Sequence, residues 1–257
     1  MSEADPSPVT RHPTPGMLTI FHTNDFHNAL DERKAARLKS LKDETPDSLL
    51  LDAGDAIWAG NVYVRPGGEP ALRLMSRAGY DAMGLGNREF HFMQSGLRRK
   101  IGWAEFPVLC ANIRPTRPGA RVPVVPSITR EIGGRRIAIL GLTIPMITER
   151  MLSRKISAYV FDNPVSIAAK LVPDLRSTHD LVIALTHIGL REDRRLASEV
   201  PGIDLIVGGH THAVLDLPEL VGRTAIVQAG YWAHKVGRVE IDMDGNDPAI
   251  SGSIMEL

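Results

Sequence analysis

Only one cysteine, Cys110, occurs in the 257 residues. A lone thiol excludes an intramolecular disulfide and a thiolate zinc cluster, and it suits a reducing compartment. Charge of neither sign is in excess, because Lys and Arg total 30 and Asp and Glu also total 30. No net field therefore recruits nucleic acid or an acidic membrane surface. Nowhere does the chain offer the roughly 18 consecutive apolar residues of a membrane span. Aromatic residues make up 5% of the chain, and no base-stacking pair stands out among them. Trp58, Trp103 and Trp232 read as core or rim packing. The opening stretch MSEADPSPVTRHPTPG (1–16) holds four prolines and lacks both the charged start and the apolar centre of a signal peptide. It reads as a disordered leader, and a cytoplasmic location is the default.

What the chain does hold is an ordinary globular composition, 43% hydrophobic and 23% charged. Short β-rich runs alternate with helical patterns. Strands are expected at Leu18–Thr23, Ser48–Leu51, Ala82–Leu85, Pro107–Ala111, Ile137–Leu142, Leu181–Leu185, Leu205–Val207, Thr224–Val227 and Lys235–Asp242. Several are continuous apolar runs, as strands covered on both faces require. Helices are expected at Asp31–Lys42, Glu69–Ala78, Pro164–Arg176 and Arg191–Glu199, with Asn163-Pro164 supplying a cap and a first-turn proline. Gly133-Gly134 marks a hairpin between two strand-like segments. The stretch 114–123 reads as a surface loop. The alternation predicts an α/β class and one domain over 17–257, ending soon after the strand at 235–242.

The polar residues fall at strand ends, where open α/β sheets collect their chemistry. Asp25 and His27 follow the first strand, and Asp52 and Asp55 surround Gly54 after the second. Asn87 follows Gly86, His187 ends the run VIALTH, and His210 and His212 follow DLIVGG. Asp-x-His and His-x-His pairs on an extended segment would point both side chains to one side. Mixed carboxylate, amide and imidazole ligands suit manganese, iron or zinc better than calcium or magnesium. A carboxylate such as Asp55 can bridge two divalent ions about 3.5–4 Å apart, the usual arrangement for phosphoester hydrolysis by an acidified water.

The motifs FHTNDFH, LLLDAGD, GYDAMGLGNREF, LVIALTHIGL and GIDLIVGGHTH resemble, in order and spacing, the calcineurin-like metallophosphoesterases. More narrowly they are similar to the catalytic domain of the 5'-nucleotidase / 2',3'-cyclic phosphodiesterase group, over about residues 17–245. The resemblance implies a four-layer α/β/β/α sandwich with a dimetal centre at one end. It places Asp25, His27 and His212 on the first metal and Asp55 as the bridge, with Asn87, His187 and His210 on the second. The substrate it implies is a small phosphomonoester or (cyclic) phosphodiester, nucleotides included. No partner chain is indicated. The group's C-terminal domain, which stacks the nucleobase, lies outside the resemblance, so nucleotide specificity is not inherited from it.

One stretch departs from the family. Where it has Gly-Asn-His-Glu-Phe-Asp, this chain has Gly86-Asn87-Arg88-Glu89-Phe90-His91. The resemblance implies that the family's histidine steadies the transition state and is a candidate to protonate the leaving oxygen, with the aspartate three residues on as its partner; Arg88 stands in that histidine's place. An arginine donates hydrogen bonds but holds its proton to a pKa above about 12. His91, in place of the aspartate, is the other candidate proton donor. The competing reading is a metal-binding module with little turnover. Smaller features read as structural: Asp52 braces the Gly54 turn, Cys110 is a buried small hydrophobe, and Asn112 is either site lining or a strand-end cap. His22 lies beside the first motif, and His234 is a further candidate to touch substrate.

Overall fold

The computed structural model describes residues 16–245 and 247–257. The leader expected over 1–16 lies, Gly16 apart, outside the described residues. The elements run β1 (Met17–Thr23), α1 (Glu32–Asp43), β2 (Ser48–Asp52), α2 (Pro70–Ala78), β3 (Ala82–Gly84), α3 (Gln94–Ile101), β4 (Val108–Leu109), β5 (Ile113–Pro115), β6 (Ser127–Ile132), β7 (Arg135–Thr143) and β8 (Tyr159–Phe161). They continue with α4 (Pro164–Thr178), β9 (Leu181–His187), α5 (Leu190–Glu199), β10 (Leu205–Val207), β11 (Glu219–Val221), β12 (Thr224–Val227), β13 (Lys235–Asp242) and β14 (Ala249–Glu256).

Two six-stranded sheets carry the fold, ordered β14-β13-β1-β2-β3-β4 and β11-β12-β10-β9-β7-β6. The pairs β1–β2, β2–β3 and β3–β4 are parallel, as are β7–β9, β9–β10 and β10–β12. Alternation along each strand then sorts the core into layers. Leu18, Ile20, Leu49 and Leu51 of one sheet meet Ile137, Ile139, Leu181 and Ile183 of the other in a shared apolar layer. Phe21, Leu50 and Met83 point the opposite way, onto Leu38, Leu72 and Leu97 of the first three helices. Leu140, Ala184 and Ile206 likewise face Ala168, Val172 and Leu196 of α4 and α5. The result is the α/β/β/α sandwich implied by the family resemblance. Both faces of the central strands are buried, which is why their sequences are mostly apolar.

Local chemistry sets the helix starts. The Asp31 side chain accepts the Lys34 amide at 2.8 Å, and Asn163 accepts the Ser166 amide at 2.9 Å ahead of Pro164. The Gly133-Gly134 hairpin is present, with both glycines left-handed as a two-residue turn demands.

Five elements escape the periodicity. β11 and β14 are edge strands with one wet face, and β14 contains Ser251, Gly252 and Ser253 in place of an apolar stripe. The chain therefore adds a strand beyond 235–242. The eight-residue α3 carries Gly96 and three basic residues, so its apolar face is short. β5 and β8 pair only with each other, which makes the start of 114–123 strand, not loop.

Candidate metal centre

The carboxyl ends of β1, β2, β3, β9 and β10 lie together at one end of the sandwich. Asp25 Oδ1 stands 3.7 Å from His27 Nε2 and 3.4 Å from His212 Nε2. Asp55 offers Oδ2 3.5 Å from His27 Nε2 and Oδ1 3.4 Å from His187 Nε2. Two sets of potential ligand atoms result, Asp25/His27/His212 and Asp25/Asp55/His187, each within 4.8 Å of one another.

These separations exceed the roughly 2.7–3.2 Å of a good nitrogen–oxygen hydrogen bond. Ligand bonds of about 2.0–2.2 Å around a tetrahedral ion give ligand–ligand edges of about 3.4 Å. Asp25 Oδ1, His27 Nε2, Asn87 Oδ1 and His187 Nε2 are all buried without a hydrogen-bond partner. Leaving one such group unpaired costs about 1–3 kcal/mol. Three of them, on Asp25, His27 and His187, fall in the two ligand sets, and unpaired atoms gathered so closely fit divalent cations. His187 Nδ1 lies 2.9 Å from the Ala53 carbonyl, which only accepts, so Nδ1 carries a proton and Nε2 is the ring atom turned towards Asp55.

The backbone that aims these groups is unusual. Asp25 (φ 53°), His27 (47°), Asp55 (57°), His210 (77°) and His212 (57°) are all left-handed. Non-glycine residues adopt this region rarely, and clusters of them mark functional sites. The expectation of extended Asp-x-His and His-x-His segments is therefore corrected. The pairs leave the strands in tight left-handed turns, and convergence comes from those turns, not from strand parity.

The surrounding electrostatics follow from burial and crowding. Burial pushes the Asp55 carboxyl up, but the His187 and His27 imidazoles and the Arg88 amide outweigh it and hold it well below the usual carboxylate range. Burial pushes His187 down, and Asp55, Asp25 and Glu89 more than reverse that. His210 enters neither ligand set. Its ring meets His187 edge-on at 5.1 Å, and its backbone N–H donates to Asp25 Oδ2 at 2.9 Å.

Arg88 is at the centre. Its amide donates to Asp55 Oδ1 at 2.7 Å, and its Nε lies 3.8 Å from Asp55 Oδ2. The guanidinium covers the Trp58 ring at 4.9 Å. His91 is not drawn into the cluster. Its ring packs on Gly96, its Nδ1 accepts the Met93 amide at 3.0 Å, and the Val62 backbone also engages it.

Sequence reasoning missed three residues that build the site. Fully buried Glu89 accepts the amides of Asp55, Gly86 and Ile57. Asn24 donates to Asp25 Oδ2 at 2.8 Å and to the Gly230 carbonyl at 2.5 Å. Lys100 is buried and donates to the carbonyls of Gly60, Arg88 and Phe90. Glu89 and Asn24 sit inside quoted motifs, a signal available but unused; Lys100 left none. Asp52 does brace its turn, accepting the Gly54 amide at 2.8 Å. Asn112 is a strand-end cap, bonded to Thr143 through both its amide atoms.

The sequence matches the calcineurin-like phosphoesterases over residues 18–214. The chain belongs to that family. Among curated relatives, the trifunctional nucleotide phosphoesterase YfkN of Bacillus subtilis is 32% identical over 267 residues, covering 88% of this chain and 18% of its own. The 5'-nucleotidase of Vibrio vulnificus is 31% identical, covering 88% of this chain and 48% of its own. The chain thus spans less than half the length of these relatives. Among solved structures, a 5'-nucleotidase precursor from Thermus thermophilus superposes with a TM-score of 0.78 at 27% identity, covering 94% of this chain and 54% of that one. Among the described residues no helix is long and apolar enough to cross a membrane.

Proposed function

We propose that this family member is a divalent-metal phosphoesterase acting on small phosphomonoesters or (cyclic) phosphodiesters, nucleotides among them. The observation that carries this reading is the set of orphaned, buried ligand atoms on Asp25, His27, Asn87 and His187. Asp25, His27 and His212 would hold one ion, and Asn87, His187 and His210 a second, with Asp55 between them. Manganese, iron and zinc suit this donor set. Two such ions, when bound, acidify water and offset phosphoryl charge.

The chain's own contribution is electrostatic. Arg88, beside Asp55 and open to solvent on one flank, neutralises a non-bridging phosphoryl oxygen, as arginine does in other phosphoryl transfers. It gives up no proton near neutrality. His91 does not replace the missing acid, because its ring is engaged by Met93 and Val62. A missing general acid costs about 10²–10⁴ in rate, and least when the leaving oxygen is stable as an anion. Aryl esters should therefore turn over much faster than alkyl esters.

A second reading, a metal-binding module with little turnover, draws on the same contact: the Arg88 cation rests on the carboxylate that would bridge two other cations. Hydrolysis of p-nitrophenyl phosphate, bis-p-nitrophenyl phosphate and glycerol phosphate with added manganese separates the two. Aryl-ester turnover that is lost in Asp55→Asn, with a gain on glycerol phosphate in Arg88→His, supports the esterase. Manganese binding without turnover in any variant overturns it in favour of the binding module. Equal wild-type rates on aryl and alkyl esters would sink the claim that the acid is missing.

A further inference from the structure

Aromatic residues are scarce in the sequence, yet they gather beside the metal ligands. The Trp58 ring meets His27 edge-on at 5.4 Å, with the Arg88 guanidinium over it. Beyond His27, the His212 ring stacks on Tyr231 at 4.9 Å and 18°, and Tyr231 meets Trp232 edge-on at 5.1 Å. Trp58 is 53% exposed and Trp232 46%. Both forgo burial that would stabilise the fold.

The turn presenting Trp232 is held in place by its surroundings. Gly230, Trp232 and Ala233 are left-handed, with φ of 87°, 56° and 54°. The Trp232 amide donates to the Asp25 carbonyl at 2.9 Å. Buried Asn24 donates to the Gly230 carbonyl at 2.5 Å and accepts the Ala229 amide at 2.8 Å. Left-handed non-glycine backbone persists only where the surroundings over-determine it, and it clusters at ligand clamps. Here the overdetermination comes from the same loop that carries Asp25.

We infer that Trp58 and the Tyr231–Trp232 pair form an aromatic platform for the planar base of a nucleotide whose phosphate sits at the Asp25–Asp55 cluster. The inference rests on the phosphoesterase reading and adds to it the group that is recognised beyond the phosphate. Stacking on a flat ring tolerates every base, since each has a π face. The platform therefore distinguishes a nucleotide from a sugar phosphate, with little choice among nucleobases. The Arg88 guanidinium covers one face of Trp58, which leaves the other face for a base.

The chain has three tryptophans. Trp103 lies under Arg73 at 3.9 Å, and the other two belong to the platform, so intrinsic fluorescence reports on it. The zinc-loaded protein is titrated with adenosine 5'-monophosphate and with ribose 5-phosphate, the same ester without a base, while phosphate release is followed in parallel. The nucleotide should quench the emission and bind at least about tenfold more tightly than ribose 5-phosphate. Trp58→Ala and Trp232→Ala should each shrink that preference by roughly 5- to 100-fold, the usual range for one lost stacking partner. Trp232→Phe, which keeps a ring, should retain most of it and guards against misfolding. Equal affinity of the wild type for the two compounds, or alanine variants that weaken both alike, overturns the platform. If both compounds are hydrolysed with equal KM, the esterase stands and the platform falls. A nucleotide preference with no phosphate release leaves the platform standing and sinks the esterase.

Discussion

Glu89 Oε2 accepts the backbone N–H of Asp55 at 2.9 Å, and so joins the loop after β2 to the loop after β3. The same oxygen accepts the Gly86 amide at 2.9 Å, and Oε1 takes the Ile57 amide at 3.2 Å. One fully buried carboxylate thus ties the Asp55 loop to the loop that carries Asn87.

Replacing Glu89 by Gln keeps the shape but turns one acceptor into a donor that faces backbone N–H groups. At least one amide is then left unpaired, at a cost of about 1–3 kcal/mol. For a chain of this size that lowers Tm by roughly 2–10 °C. Manganese affinity, measured by calorimetric titration, should fall as well, because Asp55 loses its anchor. An unchanged Tm together with unchanged affinity would remove Glu89 from the account of the site.

Lys100 does for Arg88 what Glu89 does for Asp55. Its buried ammonium donates to the carbonyls of Gly60 and Arg88 at 2.7 Å and of Phe90 at 2.9 Å. Lys100→Met fills the same stem volume and abandons three carbonyls in an apolar setting. The expected loss is about 2–4 kcal/mol, somewhat above a single unsatisfied group. Limited proteolysis should then cut preferentially near residues 86–92. Cleavage that is unchanged in site and rate would mean another contact holds this segment.

The layers were legible because β9 and β10 bury both faces, and near-continuous apolar runs are what such strands show. Asp25, Asp55 and His187, which the fold brings together, were legible because each lies at or just after the end of a strand-like run. What stayed hidden depends on backbone conformation or on distance along the chain. Nothing in the letters DFH or HTH signals a left-handed turn, so alternation along an extended segment was the natural and mistaken inference. Trp58 and Trp232 read as rim packing, and their place beside His27 and Tyr231 appears only after the loops fold. The edge strand β14 was invisible because an alternating, half-wet strand interrupted by Gly252 resembles a loop.

Gly86 is where a side chain would do most harm to the site. A Cβ there would land on the Asp55 amide and Oδ1, and 2.6 Å from Glu89 Oε2. Neither neighbour can retreat without breaking the Glu89 bonds. Gly86→Ala should therefore destabilise the chain by about 1–3 kcal/mol, as overpacking does, and weaken manganese binding. Gly67→Ala is a control: its Cβ meets nothing within 4 Å, so its cost is confined to backbone strain at φ 81°. Loss of metal affinity in Gly67→Ala but not in Gly86→Ala would contradict this packing.

His22 makes the fold sensitive to acid in a defined window. Its ring is buried on the side of β1 that faces the other sheet, packs against Gly237 and leaves Nδ1 without a partner. Burial pushes its pKa down to about 3, whereas an unfolded histidine titrates near 6.5. Above about pH 6.5 both states are neutral and the residue adds no pH dependence. Below that, the unfolded chain takes up a proton that the folded chain refuses, so stability falls as pH falls towards the folded value. Between pH 7 and pH 5 this one site should remove about 2 kcal/mol. His22→Leu, an apolar replacement in an apolar layer, should lose correspondingly less over the same interval. Guanidinium unfolding of both proteins at the two pH values gives the difference directly, with the carboxylates common to both cancelling. Identical losses in wild type and variant would show that the acid sensitivity lies elsewhere.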